Sequence, residues 1–125
     1  MKVLAVVEDN ADNRLLVRAL LGHLYHVREY VNGSDALAAF GRGEVPDIVL
    51  MDISLPGISG LDVLLRMRAD ERLAELPVVA LTAHAMDGDR AALLEAGFDE
   101  YVAKPIFDET VLLRAIERAL RRVGG

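Results

Sequence analysis

The sequence contains no cysteine, which excludes a disulfide framework and any thiol chemistry. No apolar run approaches the roughly 20 residues that a membrane-spanning helix needs. The opening stretch, "MKVLAVVEDN", has a short apolar run that leads into acidic residues and lacks the small-residue cleavage site of a secretory signal peptide. We therefore expect a cytoplasmic protein that does not bind a membrane.

Basic residues are also in deficit. Lysine and arginine total 14 against 20 aspartates and glutamates, which gives a net charge of -6. A protein that binds nucleic acid directly needs a basic face to neutralise phosphates, so this balance argues against such a partner. The arginines near the C-terminus are interpreted as the solvated face of a last helix, where they complement its dipole; they are Arg114, Arg118, Arg121 and Arg122.

The length of 125 residues predicts a single domain, large enough to bury a core without disulfides or metals. Hydrophobic residues make up 53% of the chain and charged residues 27%, which is typical of a globular protein. The sequence has no repeats, low-complexity segments or internal linkers.

Strand-like and helix-like segments alternate along the chain. The predicted strands are 2–7, 26–31, 47–51, 78–82 and 100–104, and the predicted helices are 10–24, 33–43, 60–70, 86–97 and 108–123. Several strands are continuous apolar runs, as burial on both faces requires. This alternation predicts an α/β fold in which right-handed crossovers place helices on both faces of a parallel sheet.

Ligands of such sheets bind beyond the carboxyl ends of the strands, and polar residues stand at those ends. Glu8 and Asp9 follow the first strand, Asp52 the third, Thr82 ends the fourth and Lys104 the fifth. Crowded carboxylates repel one another, which either raises their pKa values or recruits a cation. Oxygen ligands without histidine or cysteine favour Mg²⁺. A carboxylate can also act as a nucleophile and form an acyl-phosphate. The sequence therefore predicts phosphoryl chemistry at this edge.

Four segments carry a resemblance to a known family: "VVEDN", "VLMDISLPGISG", "ALTAHA" and "YVAKPI". With their order and spacing, the chain resembles the response regulator receiver domain of bacterial two-component signalling over nearly its whole length. The resemblance implies a flavodoxin-like (βα)5 three-layer sandwich, with a parallel five-stranded sheet in the order 2-1-3-4-5. It also implies one receiver domain over residues 1–125 without an output domain, either a single-domain protein or a receiver cut from a longer protein such as a hybrid kinase.

The resemblance implies the role of each site residue. Asp52 accepts a phosphoryl group from the phosphohistidine of a histidine kinase or a histidine phosphotransfer protein. Glu8 and Asp9 hold Mg²⁺ together with Asp52 and the backbone carbonyl of Ser54, although Glu8 replaces the commoner aspartate. Thr82 and Lys104 contact the phosphoryl group and are the phosphoryl-binding residues of the site.

The resemblance also implies that Tyr101 changes rotamer as the Thr82 loop moves; the alternative is that Tyr101 simply packs in the core. We expect a downstream protein effector to bind the changed face, and we expect a monomer or weak dimer. The Lys104–Pro105 peptide bond is expected to be cis. Ser54 and His84 lie two residues after Asp52 and Thr82 and either tune hydrolysis of the acyl-phosphate or are ordinary loop residues.

The first helix has apolar residues around more than half of its circumference. Either a neighbouring helix covers them, or the edge near Asn13 and Leu16 docks a helical partner that donates the phosphoryl group.

Two other function classes fit the sequence less well. A phosphatase that uses an aspartyl-phosphate places a second acid two residues after the nucleophile, and this chain has Ser54 there. A flavodoxin-like flavin binder needs a phosphate loop after the first strand, where Glu8 and Asp9 would repel phosphate. We therefore expect a signalling switch and not an enzyme.

Overall fold

A computed structural model describes residues 1–83, 87–106 and 108–124. The strands are β1 (Val3–Val7), β2 (His26–Tyr30), β3 (Ile48–Asp52), β4 (Val78–Thr82) and β5 (Glu100–Ala103). The helices are α1 (Ala11–Leu21), α2 (Gly33–Gly41), α3 (Gly60–Arg68), α4 (Asp87–Ala96) and α5 (Glu109–Gly124). Within the described part of the chain, none of the helices combines the length and apolarity that crossing a bilayer requires.

The strands form one parallel sheet in the order β2-β1-β3-β4-β5, which confirms the predicted flavodoxin-like fold. Strands β3 and β4 are buried along their whole length, as their largely apolar sequences predict. After β1, the chain adds β2 on one side of β1 and then adds β3 on its other side. The carboxyl ends of β1 and β3 therefore flank the topological switch point, where such folds bind ligands.

Two apolar layers pack on opposite faces of the sheet, because successive strand residues point to opposite sides. One layer joins alternate strand residues to α2 and α3, and includes Ala5, Val7, Val49, Met51, Phe40, Val63 and Leu64. The other joins the remaining strand residues to α1 and α5, and includes Leu4, Val6, Ile48, Leu50, Val17, Leu112 and Ile116. The result is the three-layer sandwich predicted from the sequence.

The ends of α1 differ most from the prediction, which extended this helix over 10–24. The side chain of Asn10 accepts a hydrogen bond from the Asn13 amide and so caps the helix before Ala11. At the other end, the amides of Leu24 and Tyr25 both donate to the carbonyl of Leu21. This turn ends the helix early and directs the chain into β2.

Candidate functional site

The predicted site residues meet at the carboxyl edge of the sheet. Glu8 and Lys104 directly follow β1 and β5, and Asp52 and Thr82 are the last residues of β3 and β4. The register pairs Val7 with Met51, so Glu8 and Asp52 leave neighbouring strands at the same level. Parallel pairing thus brings together residues that lie up to 96 positions apart in the sequence.

Three carboxylates form the acidic part of the site. One oxygen each from Glu8, Asp9 and Asp52 lies within 4.8 Å of the others. Glu8 and Asp52 are buried, with 1% and 2% of their surface exposed, whereas Asp9 is exposed. The cluster is therefore open to solvent on the Asp9 side and closed on the sheet side.

Lys104 supplies a positive charge between the two buried carboxylates. Its Nζ lies 2.9 Å from Oε2 of Glu8 and 3.0 Å from Oδ2 of Asp52. Burial lowers the pKa of Lys104, but the interactions with Glu8 and Asp52 outweigh burial and raise this pKa above its usual value. The ammonium is therefore held firmly in its charged form.

The pKa of Glu8 is also raised, but here burial itself is the largest cause. Burial raises the pKa of Glu8; the contact with Lys104 opposes this, but the charge of Asp52 adds to it, and the net pKa lies above its ordinary value. Oε1 of Glu8 accepts a hydrogen bond of 3.2 Å from the Asn10 amide. Oε2 is buried and lies 2.9 Å from Nζ of Lys104. It accepts no well-directed hydrogen bond from any described residue.

This donor set fits Mg²⁺. The buried Oε2 of Glu8 has unused acceptor capacity, and the cluster offers three carboxylates without nitrogen or sulfur ligands. Hard divalent cations prefer such oxygens, and Mg²⁺ usually keeps several waters beside one or two carboxylates. The exposed side of the cluster at Asp9 leaves room for those waters.

The backbone around Asp52 orients its carboxylate. The amide of Ser54 donates to Oδ1 of Asp52 over 3.0 Å, while Oδ2 faces Lys104. Ser54 itself is exposed. Its backbone carbonyl as a metal ligand and its side chain as a tuner of hydrolysis remain predictions.

Thr82 and Lys104 are linked through the main chain, since the Lys104 amide donates to the Thr82 carbonyl over 2.8 Å. Thr82 is buried at the end of β4, and the Lys104–Pro105 peptide bond is cis. Tyr101 is half-buried in β5, and the guanidinium carbon of Arg90 lies 5.6 Å from the centroid of its ring. His84, predicted to tune hydrolysis, lies outside the described residues.

The predicted docking edge of α1 is only partly open. Asn13 and Leu16 are half-buried, and Val17 and Leu21 face the core. The wide apolar surface of the helix arises because Leu15, with 65% of its surface exposed, lies outside the buried stripe. The docking role of Asn13 and Leu16 remains a prediction.

Two residues near the site were missed by the sequence analysis. Gly60, the first residue of α3, approaches the main chain of Asp52 so closely that a Cβ atom would lie 2.2 Å from the Asp52 carbonyl oxygen. Arg14, in α1, donates from Nη1 to the Glu8 carbonyl over 2.8 Å. Glycine in the segment "LPGISG" was a signal for the first, but no sequence pattern indicated the second.

Comparisons with known proteins agree on one family. The family model described as the response regulator receiver domain matches residues 4–117. The polar-differentiation response regulator DivK of Brucella anthropi is 40% identical over 115 residues, which cover 88% of this chain and 93% of DivK.

Solved structures give the same result. A candidate response regulator from Chloroflexus aurantiacus has a TM-score of 0.88 at 31% identity, over 97% of this chain and 98% of that protein. The receiver domain of a sensor histidine kinase from Pseudomonas aeruginosa has a TM-score of 0.84 at 36% identity, over 96% of this chain and 98% of that domain. That structure holds a magnesium ion coordinated in its active-site cleft.

Proposed function

The chain belongs to the response regulator receiver family, and from this premise we propose that Asp52 accepts a phosphoryl group from a histidine kinase or a histidine phosphotransfer protein. Receivers of this family are signalling switches and not classical enzymes. The observation that carries the proposal is the buried Asp52 carboxylate, which lies at the switch point with Lys104 3.0 Å from its Oδ2.

Transfer forms a bond between a carboxylate oxygen of Asp52 and phosphorus. The phosphorus–nitrogen bond of the donor's phosphohistidine breaks, and the imidazole leaves with the bonding electron pair. Such reactions depend mainly on positioning and on neutralisation of the phosphoryl oxygens. The Ser54 amide contributes by fixing the orientation of the Asp52 carboxylate through Oδ1.

Mg²⁺ would be held by the carboxylates of Glu8, Asp9 and Asp52 and by the backbone carbonyl of Ser54. When bound, it supplies positive charge to the phosphoryl oxygens. Support comes from the three clustered carboxylates and from the buried Glu8 Oε2, which pairs with Lys104 but accepts no well-directed hydrogen bond from the described residues. The Pseudomonas receiver with its coordinated magnesium ion lends further support.

The switch follows from the new charge at Asp52. The aspartyl phosphate carries roughly −2 charge where the carboxylate carried −1, and it adds strong hydrogen-bond acceptors. Lys104 then moves its ion pair from the carboxylate to a phosphoryl oxygen, and the Thr82 hydroxyl donates to another. Because the Lys104 amide is hydrogen-bonded to the Thr82 carbonyl, both residues respond together. Tyr101 changes rotamer with them, and an effector protein binds the altered face near α4.

Intact-mass spectrometry after incubation with acetyl phosphate and Mg²⁺ tests the proposal. We expect one added phosphoryl group on the wild-type chain and none on Asp52→Asn or in EDTA. Asp35→Asn is the matched control, because Asp35 is an exposed aspartate in the first turn of α2 and its loss should leave labelling intact. A folded, Mg²⁺-replete wild-type chain that gains no mass would refute Asp52 as an acceptor.

A further inference from the structure

Arg14 connects the acidic site to the outer strand of the sheet. Its Nη1 donates to the Glu8 carbonyl over 2.8 Å, and its Nε donates to Oε1 of Glu29 on β2 over 3.2 Å. Only 16% of the Arg14 side chain is exposed, an unusually low value for an arginine. The guanidinium therefore bridges two fixed groups and is not a free surface charge.

The contact lies where the main chain leaves β1 and enters residues 8–10, here called the acidic loop. The Glu8 amide is already fixed by a hydrogen bond of 3.0 Å to the Tyr30 carbonyl. Arg14 fixes the carbonyl of the same residue, so both sides of Glu8 are held before the chain continues to Asp9 and Asn10. Arginine offers several donors in a rigid planar group, which suits it to hold a carbonyl and a carboxylate together.

The effect of the Arg14–Glu8 contact can be separated from the effect of removing a positive charge, because Arg18 provides a matched control. Arg18 lies one turn later on α1 and also donates to Glu29, over 2.9 Å, but its second contact is the Val27 carbonyl on β2. Removal of either arginine takes the same formal charge from the same network around Glu29. Only removal of Arg14 also releases the Glu8 carbonyl.

The geometry points to Arg14 as a positioning residue for the acidic loop that would hold Mg²⁺, an inference that rests on the proposed function. It holds the Glu8 main chain so that the carboxylates of Glu8 and Asp9 are arranged for the metal before the metal binds. Groups that orient metal ligands from outside the coordination sphere typically change metal affinity by about 10- to 100-fold when removed.

The test compares Arg14→Met with Arg18→Met by calorimetric titration of the full chain with Mg²⁺, alongside amide hydrogen exchange without metal. We expect Arg14→Met to bind Mg²⁺ at least about tenfold more weakly than the wild type and to exchange the Asn10 amide faster. Arg18→Met should stay within about twofold of the wild type. Urea unfolding of both variants without metal separates loop positioning from a general loss of stability.

Two results would overturn the inference: wild-type affinity and exchange in Arg14→Met, or an equal loss in Arg18→Met. If the wild-type chain binds no Mg²⁺, the proposed function fails, and the exchange measurement without metal still decides the role of Arg14. Should Arg14→Met fail to fold, Arg14→Lys keeps the charge without the planar donor group, and unchanged Asn10 exchange in that variant would overturn the inference.

Discussion

The Nζ of Lys104 lies 3.0 Å from Oδ2 of Asp52. The same ammonium lies 2.9 Å from Oε2 of Glu8, so one lysine offsets the repulsion between two buried carboxylates. The proposed acceptor is thus already ion-paired with the group that would later bind its phosphoryl oxygens. We therefore expect Lys104 to matter both for stability and for the proposed switch.

Replacement of Lys104 by methionine should destabilise the metal-free protein. Two buried carboxylates would lose their counter-charge, and we expect the free energy of unfolding to fall by about 2 kcal/mol, less than for a fully buried pair. Mg²⁺ should restore more stability to Lys104→Met than it adds to the wild type, because it replaces the missing charge. Urea titrations with EDTA and with Mg²⁺ measure both effects.

Arg72→Met is the control for the lysine variant, because it breaks only the exposed Arg72–Asp70 pair, and such pairs contribute little. If Lys104→Met unfolds at the same urea concentration as the wild type in EDTA, the ion pairs do not stabilise the fold.

Magnesium affinity should fall as the pH is lowered from neutral, and sooner than for an ordinary glutamate. Burial raises the pKa of Glu8, with Lys104 opposing and Asp52 adding to this effect, so Glu8 takes up a proton at higher pH. The proton then competes with Mg²⁺ for the carboxylate. The same raised pKa means that protonation of Glu8 stabilises the metal-free fold at low pH. This stabilisation is lost as the pH rises through the raised pKa of Glu8.

Calorimetric titrations with Mg²⁺ in buffers of different ionisation enthalpy count the protons released. Glu8→Gln should abolish this release, whereas the exposed Glu71→Gln should not. An affinity that stays constant from neutral to mildly acidic pH would contradict the prediction.

Substitution of Gly60 by alanine should disturb Asp52 directly. The new Cβ would lie 2.2 Å from the Asp52 carbonyl oxygen, so the main chain of α3 or of Asp52 must shift. We expect slower labelling by acetyl phosphate and a loss of about 1–3 kcal/mol in stability, as for other overpacked sites. Gly41→Ala is the matched control, because a Cβ at Gly41 meets nothing within 4 Å. Identical labelling rates in the two variants would refute the role of this close approach.

Substitution of Leu16 by glutamate tests the docking edge of α1. If a helical donor packs against Asn13 and Leu16, transfer from a histidine phosphotransfer protein should slow by about tenfold, the effect of losing a strong interface contact. Labelling by acetyl phosphate, which needs no docking, should continue. Leu65→Glu on α3, at a leucine with 52% of its surface exposed, should affect neither reaction. Equal loss of both reactions in Leu16→Glu would indicate a folding defect and not a docking role.

The sequence alone determined the architecture and the chemical identity of the candidate site. Buried parallel strands must be continuously apolar, so stretches such as 47–51 and 78–82 could be located from composition. Parallel pairing places all carboxyl ends on one edge, so the order along the chain predicted that Glu8, Asp52 and Lys104 share that edge. Their close approach depends on the strand order 2-1-3-4-5, which the resemblance to receiver domains implied.

Only the tertiary structure decided how these residues contact one another. Side-chain pairing depends on interatomic distances between separate elements, and periodicity contains no such distances. It therefore could not reveal that Lys104 bridges Glu8 and Asp52, that Gly60 lies against the Asp52 main chain, or that Arg14 holds the Glu8 carbonyl. The same reason explains why the exposed Leu15 and the half-buried Leu16 could not be distinguished from the apolar pattern of α1.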